Sequence, residues 1–355
     1  MSDFTVIELQ DPYWGDPLLS LSKCRQVYGY TLDNGRIVDA LTLETTITDV
    51  DWDMLCEVYK WQDAEILDLW HARYGYLPDP LRNLVIEYYR RKTELKGVSG
   101  QELMYGLSKA LLNSIYGMMA QDVCKRDIVF NGIDFDLGPE DISSKLEKQR
   151  NRAYSCYSWG VWVTAWARRR LFEGIKIAGY NFVYCDTDSV KFVGEADFTE
   201  FNRQARAASE ASGAYATDPA GITHYMGVYE LDGNYEKFRS WGSKKYCYID
   251  NGKLKITVAG VSKSKGAQEL SEGGGIEAFK PDYVFVRGGG LEAKYNDDVD
   301  MWLDLPTGGQ VHITDNIYLK PSTYTLSDSV RWDTMLSDGP AMDDIMHDFY
   351  TETFN

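Results

Sequence analysis

One run constrains the fold of this chain more than any other: Phe182-Val183-Tyr184-Cys185-Asp186-Thr187-Asp188-Ser189-Val190-Lys191-Phe192. Aromatic and β-branched residues stand on both sides of an Asp-Thr-Asp turn, so the segment reads as a tight antiparallel hairpin. Asp186 and Asp188 are two residues apart, and in extended geometry both carboxylates point to one side. Two carboxylates at a hairpin tip repel each other unless a cation sits between them, and hard oxygen donors suit Mg²⁺. A bare Asp-x-Asp is more often a solvated turn. Strands on both sides shift the balance toward a metal site.

Upstream, proline and glycine punctuate a helical pair. Pro78 and Pro80 close a stretch with helical spacing from Asp51 to Tyr74. A helix is expected over Leu81–Leu95, stopped by Gly97, and a second over Gln101–Ala120 after Ser99-Gly100. Two helices joined by a glycine-containing turn form an antiparallel hairpin. On the second helix Lys109, Asn113 and Tyr116 fall on one face, at i, i+4 and i+7. An ammonium, a carboxamide and a phenol ring in that order suit a nucleotide; spacing alone equally allows an amphipathic helix with a core tyrosine. Another helix is expected over Val161–Ala178. Strands are expected from Phe4 to Ile7 and, with turns, over most of 181–326, with a hairpin-type turn at Asp33-Asn34-Gly35.

Charge is unevenly spread. The chain of 355 residues carries a net charge of −17, which as an average argues against phosphate contact. Residues 1–79 contribute −10 and residues 325–355 contribute −6, so the stretch between holds −1. Within it, windows 145–176 and 236–265 each hold 8 basic and 2 acidic residues, which read either as solvated faces or as phosphate-contacting surface. Cysteines 24, 56, 124, 156, 185 and 247 include no CxxC pair, so neither a zinc ribbon nor a disulfide framework is suggested. No apolar run is long enough to span a membrane, and the first residues lack a signal-peptide pattern. The expected location is reducing, the cytoplasm of a bacterial host cell.

Lys109 with Asn113-Ser114-x-Tyr116-Gly117, followed by Tyr184-x-Asp186-Thr187-Asp188-Ser189, resembles motifs B and C of family B DNA polymerases. Gly160-Val161-Trp162-Val163-Thr164-Ala165-Trp166-Ala167-Arg168 between them is similar to the phage branch related to protein-primed enzymes. Lys244-Lys245-Tyr246 resembles that branch's Lys-x-Tyr motif. The resemblance covers residues 80–326 well and residues 1–79 loosely. It implies an α+β fold, with an antiparallel palm sheet, a two-helix fingers and a small β-rich thumb. The corresponding parts are 1–79 as an acidic palm-related segment, 80–120 as fingers and 121–157 as an insertion. Residues 158–250 follow as palm, 251–326 as thumb and 327–355 as an acidic tail.

By the same resemblance, Asp188 ligates the catalytic metals and Asp186 supports the site. Lys109 and Asn113 meet the incoming triphosphate, and Tyr116 packs against the nascent base pair. Arg90 and Lys92 on the first fingers helix are candidates for a second triphosphate contact, Lys92 first. Lys244, Lys245 and Tyr246 hold the primer strand, and Arg168 and Thr164 lie in the DNA-contacting stretch. The implied cofactors are two Mg²⁺ ions, with Mn²⁺ as a substitute, for in-line attack of a primer 3′-hydroxyl on a dNTP. The sequence contains no motif A, Asp-x-x-Ser-Leu-Tyr-Pro, and no exonuclease motifs. The expectation is therefore a split DNA-directed DNA polymerase, in which an N-terminal partner subunit brings the motif A aspartate and the exonuclease. Primer-template DNA and dNTPs are the other partners, no membrane is involved, and priming by a terminal protein stays open. The alternative is an inactive polymerase remnant acting as a DNA-binding or scaffold subunit.

Overall fold

The structure is a computed structural model that describes residues 7–10, 17–33, 35–73, 75–120, 128–130, 135–138, 141–150, 156–286, 288–289, 291–295, 301–304, 309–313, 317–327 and 333–334. Among them are seven α-helices and several small antiparallel sheets, a mixed fold of α and β. The expected strand start at Phe4, parts of 121–157 and most of the acidic tail lie outside the described residues. Two compact units divide the chain: Met1–Thr46, Leu55–Ala64 and Leu231–Asn355 make the first, Ile47–Met54 and Glu65–Glu230 the second.

In the first unit, strands Thr31–Asp33, Arg36–Ala40, Ile7–Leu9 and Tyr59–Trp61 lie side by side in one antiparallel sheet. Helix α1 (Asp49–Val58) and the strand after it correct the helix expected over Asp51–Tyr74. The reason is tertiary. Tyr59 is 1% exposed, and its hydroxyl donates to the Ile37 carbonyl at 2.6 Å while accepting from Leu18 N–H at 3.0 Å. Burying that ring with its hydroxyl satisfied outweighs continued helix propensity. Between Trp61 and Pro78 the described residues form no helix or strand.

A second sheet in this unit joins Lys237–Ser240, Lys245–Asp250 and Lys253–Val258, with the pairing of the last two running through the turn at Asn251-Gly252. Its core face carries Cys247, Ile256 and Val258, which pack with Leu270 of helix α7 (Lys263–Glu272) and with Phe279, Phe285 and Leu326. Burial pushes the Cys247 thiol up to about 12, marking an inert core sulfur.

The second unit is built on helices. Helices α2 (Asp79–Glu94) and α3 (Glu102–Met119) pack against each other, close to the expected bounds. Pro80 sits in the first turn of α2, where its missing N–H costs nothing. Gly97 and Gly100, at φ +77° and +80°, make the reversal between the helices. Helix α4 (Ile142–Gln149) opens on Asp141, whose side chain accepts from Ser144 N–H. Helix α5 (Tyr157–Ala178) starts four residues before the expected Val161 and packs on α3 and on the Asp-Thr-Asp hairpin. Helix α6 (Thr199–Ser212) falls where strands and turns were expected. Its buried positions are Ala205 and Ser209, with Phe201 on the same side.

The first turn of α1 is tied to α5. Thr48 and Asp51 cap each other reciprocally: Thr48 Oγ1 donates to Asp51 Oδ2 at 2.8 Å and accepts from Asp51 N–H at 3.1 Å. Arg168 of α5 grips Asp51 with two hydrogen bonds of 2.8 Å, and the Trp162 indole donates to Asp49 at 2.9 Å. Burial pushes the Asp51 carboxylate up, but the Arg168 guanidinium and Thr48 outweigh it and leave it below the usual carboxylate range. The stability this contributes is present above the ordinary carboxylate value and is lost as pH falls through the lowered one. Arg168→Ala is expected to cost about 1–3 kcal/mol at neutral pH, because it strips a largely buried carboxylate of its cation. Urea denaturation should show that difference shrinking toward low pH.

Candidate active site

The hairpin at the centre of the site pairs strand Phe182–Asp186 with Ser189–Phe192, and Asp186 stands opposite Ser189. Thr187 takes φ +59°, a left-handed position that a two-residue turn requires and that few non-glycine residues occupy. The turn is stitched by Asp188 N–H to the Asp186 carbonyl at 2.7 Å and by Thr187 Oγ1 to Asp186 Oδ1 at 3.0 Å. Ser189 Oγ adds a bond to the Asp186 carbonyl at 3.2 Å. Asp186 is half-buried and Asp188 is exposed at the tip.

Three elements far apart in sequence meet here electrostatically. The Lys92 ammonium on α2 is lowered first by burial, then by the like charges of Lys109 on α3 and of Lys96. Asp188 and Glu230 act on it in the opposite sense. Lys92, Lys109 and Asp188 therefore share one field. Arg90, two residues earlier and about 200° around the helix, instead lines a shallow depression with Asn83, Ile86, Glu87, Arg91 and Glu94. Of the two basic candidates on α2, the structure brings Lys92 to Lys109.

On α3, Lys109, Asn113 and Tyr116 are all exposed, Tyr116 at 49%, so this ring is not a core ring. The helix buries Ser108 and Met119 on a different face. The side of α3 bearing the three polar groups is open to a ligand.

Two further groups were not legible in the sequence, Tyr229 beside the hairpin and Glu230, which acts on Lys92. Tyr229 packs on Phe198 and Phe201 with ring centroids 5.0 and 5.2 Å away, and its hydroxyl donates to the Arg170 carbonyl at 3.2 Å. Asn202 holds its backbone at both N–H and C=O. Gly174 of α5 allows the approach, since a Cβ there would lie 2.6 Å from the phenol oxygen. Burial, with the carboxylate of Asp188 next, pushes the Tyr229 phenol up to about 12. Such groups on a loop after a hairpin carry no local pattern.

The remaining candidates have partners of their own. Arg168 holds Asp51, and Thr164 Oγ1 donates to the Val161 carbonyl at 2.8 Å and the Gly160 carbonyl at 3.1 Å. In the first unit, Lys244 is exposed at φ +54°, and its carbonyl accepts from Ala259 N–H. Lys245 Nζ donates to Ser327 Oγ at 2.7 Å, and Tyr246 is 9% exposed, between Phe238 and Tyr248.

The donor chemistry of Asp186 and Asp188 fits a hard divalent cation. Among the described residues no group of three or more His, Cys, Asp or Glu side chains is arranged to hold a metal ion. No helix among them is long and apolar enough to cross a membrane.

No family model matches the chain. No solved structure matches it either. Among curated proteins, the DNA polymerase of Bacillus phage Nf is 27% identical over 154 residues, 43% of this chain and 25% of the phage protein. The DNA polymerase of Bacillus phage B103 is 24% identical over 160 residues, with the same coverage of both chains. That of Bacillus phage PZA is 26% identical over 153 residues, 42% of this chain and 24% of its own length. The matched stretch spans about a quarter of the length of these relatives. Over some two fifths of its length this chain is thus similar in sequence to the DNA polymerases of Bacillus phages.

Proposed function

We propose that the chain is the fingers-bearing and metal-ligating part of a family B DNA-directed DNA polymerase, adding dNTPs to a primer 3′-hydroxyl. The single observation that carries the reading is the Asp186-Thr187-Asp188 hairpin packed on α5, with α5 in turn packed on α3, whose exposed side bears Lys109, Asn113 and Tyr116. Lys92 and Lys109 bind the triphosphate and neutralise charge on the departing pyrophosphate, with Asn113 beside them. Tyr116, open on the same face of α3, packs against the nascent base pair. Asp186 and Asp188 hold Mg²⁺, which when bound supplies charge neutralisation at the reacting oxygens. Lys244, Lys245 and Tyr246 hold the primer strand, with Arg168 and Thr164 as further contacts to DNA.

A two-carboxylate set needs another acidic ligand, and the sequence lacks Asp-x-x-Ser-Leu-Tyr-Pro. That aspartate, and the exonuclease, come from polypeptide outside this sequence. Primer extension tests the reading. Synthesis is expected when the chain is combined with a polypeptide bearing motif A, and not from the chain alone; no synthesis by the combination would sink it. The incomplete ligand set favours one second reading, an inactive remnant that binds DNA within a replication complex.

A further inference from the structure

His224 lies in a strand hairpin, Tyr215–Thr217 with Thr223–Tyr225, that packs on α2 and α6. Its two ring nitrogens both face carboxylates. Nε2 is 3.1 Å from Asp218 Oδ2, and Nδ1 is 2.8 and 2.9 Å from the two oxygens of Glu230. A neutral imidazole has one N–H and one lone pair, so it satisfies only one of these contacts; the imidazolium, with two donors, satisfies both. Asp218 is itself fixed, since its Oδ1 accepts from Ala220 N–H and Ile222 N–H at 2.9 Å each. The hairpin packs on α2, where burial lowers the Lys92 ammonium against a small opposing effect of Glu230, and where burial, then Glu230, raises the Tyr89 phenol. Arg206 of α6 also faces the hairpin, lying over the Tyr225 ring at 4.5 Å. The bonds to Asp218 first, then to Glu230, hold the His224 imidazolium above its ordinary value.

From this geometry we infer that His224 is a positioning residue that couples polyphosphate affinity to pH, its imidazolium neutralising Glu230 beside Lys92. The inference rests on the reading of Lys92 and Lys109 as triphosphate contacts. When His224 loses its proton, one uncompensated carboxylate remains near the two ammonium groups. It competes for Lys92 and repels an anionic ligand, so affinity falls as pH rises.

Calorimetric titration of the full chain with inorganic tripolyphosphate, without metal and from about pH 6 to about pH 8.5, tests the coupling. At the acid end wild type is expected to bind about three- to tenfold more tightly than His224→Gln. The two should converge at the alkaline end. His224→Lys, a cation throughout, should keep the acid-end affinity across the range. Glu230→Gln should exceed wild type at the alkaline end by a similar factor. Parallel curves for wild type, H224Q and H224K would overturn the coupling alone. No binding by any of the four proteins at any pH would overturn the triphosphate reading, and the coupling with it.

Discussion

Asp188→Asn is expected to lower single-nucleotide incorporation by the assembled polymerase roughly 10³- to 10⁵-fold, the scale of several kcal/mol of transition-state charge stabilisation. The substitution keeps the side chain's shape and removes its charge. Asp188 is exposed at the hairpin tip, and the turn is held by its backbone N–H and by Asp186, Thr187 and Ser189. The thermal midpoint of the chain should therefore stay within a degree or two. Asp186→Asn should cost less in rate and more in stability, because Asp186 is half-buried and accepts from Thr187. Single-turnover incorporation beside melting curves separates the two effects. Unchanged incorporation by Asp188→Asn would favour the inactive remnant instead.

A second large effect is expected far from that chemistry. Phe279→Ala should destabilise the first unit by about 3–5 kcal/mol, measured by urea denaturation. The ring is 0% exposed among Cys247, Ile256, Leu270, Phe285 and Leu326. Those neighbours come from a sheet, from α7 and from the closing strand region, so the void cannot collapse by moving one element. The Phe279 carbonyl also accepts from the Trp241 indole at 2.9 Å, which pins the backbone around it. Leu231→Ala, at a side chain 77% exposed, should change stability by no more than about 0.5 kcal/mol and serves as the control.

How much could be read from the sequence follows from the range of the forces. Helices α2, α3 and α5 were legible because apolar period, Pro78-Asp79-Pro80 and Gly97 act within a turn or two. The end of α1 was not, because Tyr59 leaves the helix for a hydroxyl bond to Ile37, 22 residues away. Helix α6 was missed although its apolar and polar sides are well separated, its buried positions being Ala205 and Ser209. In the site, the side of α3 and the hairpin turn were visible as local patterns. Lys92 stood before Arg90 by the family resemblance alone, and the packing of α2 on α3 sets it in one field with Lys109. Tyr229 and Glu230 act on the site only because the chain returns past α6 to the hairpin.

The ion pairs of the two basic windows also bear on how such a chain would respond to salt. Arg168 is matched by Asp51, Arg169 and Arg170 by Glu173, Lys255 by Asp250, and Lys237 and Arg239 by Glu277. Each cation already neutralised within the fold displaces fewer counterions from a nucleic acid, so the number of positive residues in a window overstates its electrolyte sensitivity. Affinity for a polyanion then depends more on where cations outside these pairs stand than on how many the windows contain.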